Sequence, residues 1–213
     1  MLISFEGIDG SGKSTQARLL YDHLRKQRRK VLFLREPGGT AVSEAVRAIL
    51  LDTRHKQLSV RAELLLFLAA RAQLVDQVIV PALRAGTIVI TDRFSDSTFA
   101  YQIFGRGLPD QIVRRMNAFA ADQIRPDLTF LVDLEVGAAR GRLKQTKDRM
   151  ESSAVKFHRA VRRGFLAIAR AEPRRVRVLD GRLSPEAVFE SVRVDTTALL
   201  KRRGFAPSKL GTK

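Results

Sequence analysis

Residues 7–15 read Gly-Ile-Asp-Gly-Ser-Gly-Lys-Ser-Thr and satisfy every fixed position of the pattern GxxxxGK[ST]. No other feature restricts the fold as much, because the pattern works only where a strand turns sharply into a helix whose open N-terminus faces an anion. Both flanks are present. Residues 2–5 form a short apolar run, and Ala17, Leu19, Leu20 and Leu24 follow at helical spacing. Gly7, Gly10 and Gly12 let successive N–H groups point inward, Lys13 has the reach to bridge β- and γ-phosphates, and the Ser14 hydroxyl suits Mg²⁺. Gly7, Ile8, Asp9, Gly10, Ser11, Gly12, Lys13, Ser14 and Thr15 are thus the candidate ATP-binding set. The loop identifies what is bound and leaves the reaction open.

Apolar runs at residues 31–34, 87–91, 128–132 and 176–179 continue the alternation of strands with helical patterns. The helical stretches fall near 42–50, 59–84, 109–119, 136–143 and 152–170, with a last helix opening at Ser184-Pro185-Glu186. Such alternation predicts an α/β fold with a five-stranded parallel sheet covered by helices on both faces. In an open parallel sheet, binding groups gather at the C-terminal ends of the strands. Those ends carry Asp9, Arg35-Glu36, Asp92-Arg93 and Asp133.

Arg93, one residue past a buried strand, suits an anion, with an ion pair to Asp92 or Glu36 as the structural alternative. Asp92 is the natural carboxylate on the Mg²⁺ side, or else a helix N-cap. Phe67 and Arg71 lie four apart on the helical stretch Glu63-Leu-Leu-Leu-Phe-Leu-Ala-Ala-Arg-Ala-Gln-Leu and share a face. A ring beside a planar donor fork could stack on a nucleobase and hydrogen-bond its edge. After Arg93, the polar segment Ser-Asp-Ser-Thr-Phe-Ala-Tyr-Gln-Ile-Phe-Gly-Arg-Gly reads as a substrate loop, in which glycines free Arg106 to reach a phosphate. A solvated loop is the alternative. Residues 140–149 hold five basic residues and one acid, a cluster suited to closing over a transferring phosphoryl group, to solvent, or to nucleic acid.

Composition removes other classes. Cysteine is absent and only three histidines occur, well apart, which argues against disulfides, thiolate metal sites and zinc. The N-terminus lacks a signal-peptide pattern and no run of 18 uninterrupted apolar residues occurs, so a cytoplasmic chain without a membrane span is expected. The formal charge of +17 is uneven: residues 1–139 hold 19 basic and 15 acidic residues, and residues 140–213 hold 20 and 7. Taken alone, a surplus of +13 in the last third suggests an anionic partner such as nucleic acid.

Several motifs fall in order over about residues 1–180: FEGIDGSGKSTQ (5–16), REPGGT (35–40), ELLLFLAARAQ (63–73), DRFSDSTFAYQ (92–102), GRG (105–107), PDLTFLVDL (126–134) and DRME (148–151). Together they resemble the thymidylate kinases of bacterial type, which are P-loop nucleoside monophosphate kinases. The resemblance implies a P-loop NTPase fold over residues 1–200 with a short basic lid at about 140–151, then a basic tail at 201–213. It also implies a homodimer that moves the γ-phosphoryl of ATP to dTMP with Mg²⁺ at Ser14 and Asp92, needing neither nucleic acid nor membrane.

By position, Asp9 and Glu36 would lie near the acceptor sugar and metal, and Arg35, Arg47, Arg93 and Arg106 would hold the acceptor phosphate. Phe67 would stack on thymine, Arg71 and Gln102 would hydrogen-bond it, Ser97 and Thr98 would line its edge, and Tyr101 would crowd the sugar 2′ position. One branch of the family carries a catalytic arginine where this chain has Gly10. The charge beside Lys13, Asp9 and Arg93 should therefore come from the lid, through Arg142, Lys144 or Arg149, with Arg149 first. The competing readings are a kinase for another nucleoside monophosphate and a basic nucleic-acid-binding ATPase.

Overall fold

A computed structural model describes residues 1–143, 148–151 and 154–205. Five parallel strands, β1 (Leu2–Glu6), β2 (Val31–Arg35), β3 (Ile88–Asp92), β4 (Leu128–Asp133) and β5 (Val176–Asp180), lie in the order β2-β3-β1-β4-β5. Each strand runs one residue beyond its apolar run, so that Glu6, Arg35, Asp92, Asp133 and Asp180 close them. The chain leaves central β1 toward β2 and β3 on one side and returns to β4 and β5 on the other. The crevice at this switch is where ligands bind in open parallel sheets.

The helices are α1 (Lys13–Lys26), α2 (Ala41–Leu51), α3 (Val60–Leu74), α4 (Val80–Arg84), α5 (Ser95–Thr98), α6 (Asp110–Ala120), α7 (Val136–Gly141), α8 (Val155–Ala171) and α9 (Pro185–Arg202). Ile3 and Phe5 of β1 pack with Ala17, Leu20 and Leu24 of α1 and Val188 and Val192 of α9, while Leu2 packs with Leu74, Val75 and Ile79. This is the two-residue alternation of a strand buried on both faces.

A π turn at Val75–Ile79 joins α3 to α4, making Val60–Arg84 one continuous helix of mean hydropathy 1.5 in its most apolar window, long and apolar enough by composition to cross a membrane. In this fold it is a core helix, since Glu63 and Arg71 within it are buried and ion-paired to other elements. The segment after Arg93 corrects an expectation. It is helical, with α5 running into a π helix at Phe99–Gly105, and Ser95, Asp96, Ser97 and Thr98 are all buried. Its polar composition reflects internal partners: Asp96, for example, takes a bidentate ion pair from Arg175 at 2.7 and 2.9 Å.

Candidate active site

The glycine loop closes β1 onto α1. Gly10 has φ +82°, and a Cβ there would lie 2.2 Å from the carbonyl oxygen of Ala139, so no larger residue fits this turn. A cleft of about 960 Å³ including its open mouth runs over the loop, lined by Gly10, Ser11, Gly12, Lys13, Ser14 and Thr15 together with Arg142. Its far wall is Gly181, Leu183, Pro185 and Val188, residues for which sequence offered no signal. The Ser14 hydroxyl donates to Asp92 Oδ2, while Asp92 Oδ1 is buried and has no partner among the described residues. A hydroxyl and a carboxylate with a spare oxygen, beside a phosphate cradle, fit Mg²⁺, which usually keeps waters and takes its remaining ligands from substrate phosphates.

A second cleft, about 600 Å³ with its mouth, is lined by Asp9, Glu36, Arg47, Phe67, Arg71, Arg93, Ser97, Thr98, Tyr101 and Gln102. That volume lies in the range of small-molecule sites, roughly 300–1,000 Å³. Asp9 is the hinge between the clefts: its carboxylate takes Lys13 Nζ at 3.0 Å and Arg93 Nη2 at 2.5 Å. Burial opposes ionisation of Asp9, but the two cations outweigh it and hold its carboxyl far below the usual carboxylate range. Arg93 also donates to the Gly7 carbonyl and the Ser97 hydroxyl, each at 3.0 Å, and to the Tyr101 oxygen at 3.3 Å. Burial raises the Tyr101 phenol well above its ordinary value, so the ring stays neutral.

Arg71, only 3% exposed, donates Nε to Glu36 at 2.8 Å and Nη1 to Thr98 and Asn117 at 2.7 and 2.5 Å, and Nη2 lies 2.6 Å from Glu36. Among the described residues, Nε and both Nη1 N–H groups are donated and Nη2 lies against Glu36 in an ion pair, which leaves an Nη2 N–H for a ligand. Glu36 Oε1 is buried without a partner, and half-buried Phe67 flanks the same cleft. Arg47 bonds the Pro37 carbonyl at 2.9 Å. The cleft is completed by Pro37, Leu51, Asp148 and Met150.

Arg35 and Arg106, expected on the acceptor phosphate, and Arg149, expected as the lid's catalytic cation, line neither cleft. Arg35 pairs with Glu44 at 3.0 Å on the surface. Arg106 and Arg149 both go to Glu63, at 2.9 and 2.7 Å, and Arg149 Nε also donates to the Leu50 carbonyl at 2.7 Å. Glu63, 1% exposed and also bonded by Gln102 at 3.1 Å, draws these cations because a buried carboxylate must be compensated. Lys144 lies outside the described residues, as do residues 206–213. Glu63 was legible in part, since it sits four and eight residues before Phe67 and Arg71 on one helix face. Asn117 follows Val113 by four on the buried face of α6.

Glu6 was not anticipated. It is wholly buried at the end of β1. Its Oε1 accepts the Phe94 N–H at 2.7 Å and its Oε2 meets the Ser97 hydroxyl at 2.5 Å. These bonds grip the chain just after Arg93, whose φ of +75° lies in the left-handed region. Burial, then the facing charge of Asp96, push the Glu6 carboxyl up to about 8. Its stabilising contribution is therefore complete below the unfolded value of 4.5 and is lost as pH rises through about 8. Glu6→Gln keeps the shape and cannot titrate. The wild-type Tm minus the variant Tm is expected to fall by at least about 4 °C between about pH 5 and about pH 8.5, and a flat or rising difference would remove this assignment.

The family model described as thymidylate kinase matches residues 5–192. A thymidylate kinase of Kosmotoga olearia is 44% identical over 206 residues, covering 96% of this chain and 99% of its own. That of Symbiobacterium thermophilum is 46% identical over 205 residues, covering 95% of each. The crystal structure of the thymidylate kinase from Ehrlichia chaffeensis superposes with a TM-score of 0.77 at 35% identity, over 92% of this chain and 98% of that one.

Proposed function

The chain belongs to the thymidylate kinase family and phosphorylates dTMP to dTDP, and from that premise we propose the following division of labour between its two clefts. ATP is the donor and lies along the glycine loop, its phosphates on the N–H groups of residues 7–15, with Gly181, Leu183 and Pro185 beside its base. The dTMP lies in the second cleft. Phe67 stacks on thymine, the spare Arg71 N–H and Gln102 bond its edge, Ser97 and Thr98 line it, and Tyr101 fills the space a ribose 2′-hydroxyl would need. The single observation that carries this reading is that Asp9 joins Lys13 of one cleft to Arg93 of the other.

Transfer needs no strong base. An oxygen of the dTMP phosphate attacks the γ-phosphorus in line as the bond to the ADP oxygen breaks, so catalysis consists of alignment and charge stabilisation. Lys13 and Arg93, pinned by Asp9, flank the reacting oxygens from opposite sides, and Arg47 supports the acceptor phosphate. Arg142, the described lid arginine that borders the loop cleft, adds charge from above. Ser14 and Asp92 would hold Mg²⁺, which would supply neutralisation of the developing phosphate charge. The positions of Arg106 and Arg149 on Glu63 support a different use for them, which is to fasten the 148–151 segment beside Gln102.

Three neighbouring helices expose apolar side chains, including Leu65, Ile112 and Phe119, the last 86% exposed, which supports a homodimer through α2, α3 and α6. Reaction with ATP and dTMP suits the cytoplasm and requires no nucleic acid. A coupled ADP-release assay across dTMP, dUMP, UMP, CMP, AMP and GMP is expected to give kcat/KM for dTMP at least about 10²-fold above AMP, GMP and CMP, because a mismatched base leaves buried polar groups unpaired. Comparable rates with AMP or CMP would overturn the base-pocket roles, and a monomer mass by light scattering on the same sample would overturn the pairing.

A further inference from the structure

Part of the positive charge gathers in one place. At the end of the sheet opposite both clefts, connections that enter the strands carry cations: Arg28 and Lys30 precede β2, Arg84 precedes β3, Arg125 precedes β4 and Arg174 precedes β5. All five are exposed. The packing of α1 on α9 brings a second group to the same end. The Arg29 guanidinium reaches the Phe205 carbonyl at 3.1 Å, and Arg203 pairs with Asp127 beside the start of β1. Lys201, Arg202 and Arg203 therefore lie at the end of the fold where Arg29 follows α1. The acids on the strand-entering connections are Asp122, Asp127 and Glu172, and two of these are already paired, Asp127 with Arg203 and Glu172 with Arg125 and Arg175.

Cations are favoured in the last turn of a helix, which accounts for Arg25, Lys26, Arg84, Lys201 and Arg202. Arg28, Lys30 and Arg174 lie beyond helix ends and have no such reason, and Arg125, also beyond a helix end, shares Glu172 with Arg175. No catalytic role reaches them either, because the clefts open at the other edge of the sheet.

We infer that this edge is a binding face for a nucleic-acid backbone, separate from the kinase site and indifferent to base sequence. The match is geometric as well as electrostatic. Five strands spaced about 4.8 Å apart set the cations along roughly 19 Å, the length of a short run of phosphates in an extended backbone. Arginine predominates, and its fork suits phosphate oxygens better than an ammonium does.

The test is fluorescence anisotropy of labelled dT oligonucleotides of about 20 residues, with full-length protein. About five phosphate contacts, one for each strand-entering cation, predict a log–log salt slope of about −3.5 on a single strand and so an affinity falling about 130-fold between roughly 50 and 200 mM salt. The triple variant Arg28→Glu, Lys30→Glu, Arg202→Glu should bind at least about tenfold more weakly, with a salt slope shallower by about two, and keep wild-type dTMP kinase activity. A control with the same net-charge change on α8, Lys156→Glu, Arg159→Glu, Arg163→Glu, should bind as wild type, and saturating ATP and dTMP should not compete. The inference is overturned if no oligonucleotide binds at low salt, if both triple variants weaken binding equally, if the nucleotides displace the oligonucleotide, or if phosphatidylserine vesicles bind more tightly than DNA.

Discussion

Arg93→Ala is expected to lower kcat/KM for dTMP by at least about 10³-fold and to destabilise the fold at the same time. The kinetic loss follows from the position of the guanidinium between the clefts, since a charged donor aimed at a transferring phosphoryl group is worth about 10³–10⁵ in rate. The stability loss follows from its partners. Removing it leaves the Asp9 carboxylate, 20% exposed, with Lys13 as its cation and the Tyr101 hydroxyl at 3.3 Å, and frees the Gly7 carbonyl and the Ser97 hydroxyl. Losing one partner of a largely buried pair costs about 3–5 kcal/mol, and Lys13 offsets part of that. From sequence, Arg93→Ala and Lys13→Ala would both abolish turnover and spare the fold. The structure separates them, because Lys13 has one salt-bridge partner, Asp9, and Arg93 joins four residues. Arg93→Gly should be as inactive as Arg93→Ala yet more stable by about 1 kcal/mol, since glycine adopts a φ of +75° without strain. Steady-state kinetics with thermal melts of the three variants decide this. Wild-type kcat/KM in either Arg93 variant would end the proposed role.

Arg71→Leu carries the second large effect. Glu36 would keep its burial and lose its cation, at a cost of about 3–5 kcal/mol, or a Tm lower by roughly 6–15 °C. KM for dTMP should rise at least about tenfold, because the one unengaged N–H disappears with the side chain. The double variant Arg71→Met with Glu36→Gln removes the unpaired charge, and it should recover most of the Tm and none of the KM. Recovery of both would mean that Arg71 acts only through the fold.

How much of the site was legible depended on the distance over which each residue finds its partner. Phe67 and Arg71 are one helical turn apart, and their shared face could be read directly. The arginines were harder. Arg93 and Arg106 both follow β3 in a polar, glycine-broken stretch, yet one meets Asp9 at the glycine loop while the other meets Glu63 on α3. Arg149 reads from sequence as a lid cation, and its nearest acid along the chain is Asp148, but it is held by a carboxylate from another element. That carboxylate is Glu63, 86 residues away. The helical form of residues 95–105 was hidden for the same reason. Their hydroxyls and carboxylate resemble a solvated loop until Glu6, Arg71 and Arg175 arrive from other elements to bond them.

The sequence by itself determined the parts that rest on local covalent geometry and period. These are the glycine loop between β1 and α1, the parallel α/β sheet, and the residue types that gather at its C-terminal edge. The tertiary structure alone decided which cation meets which anion, and where part of the positive charge gathers. A buried charge is stable only beside its opposite, and those opposites are set by which strands and helices become neighbours. Lys13 therefore faces the glycine loop, Arg149 is held on Glu63, and Arg28, Arg125 and Arg174 lie along the edge of the sheet opposite the kinase site.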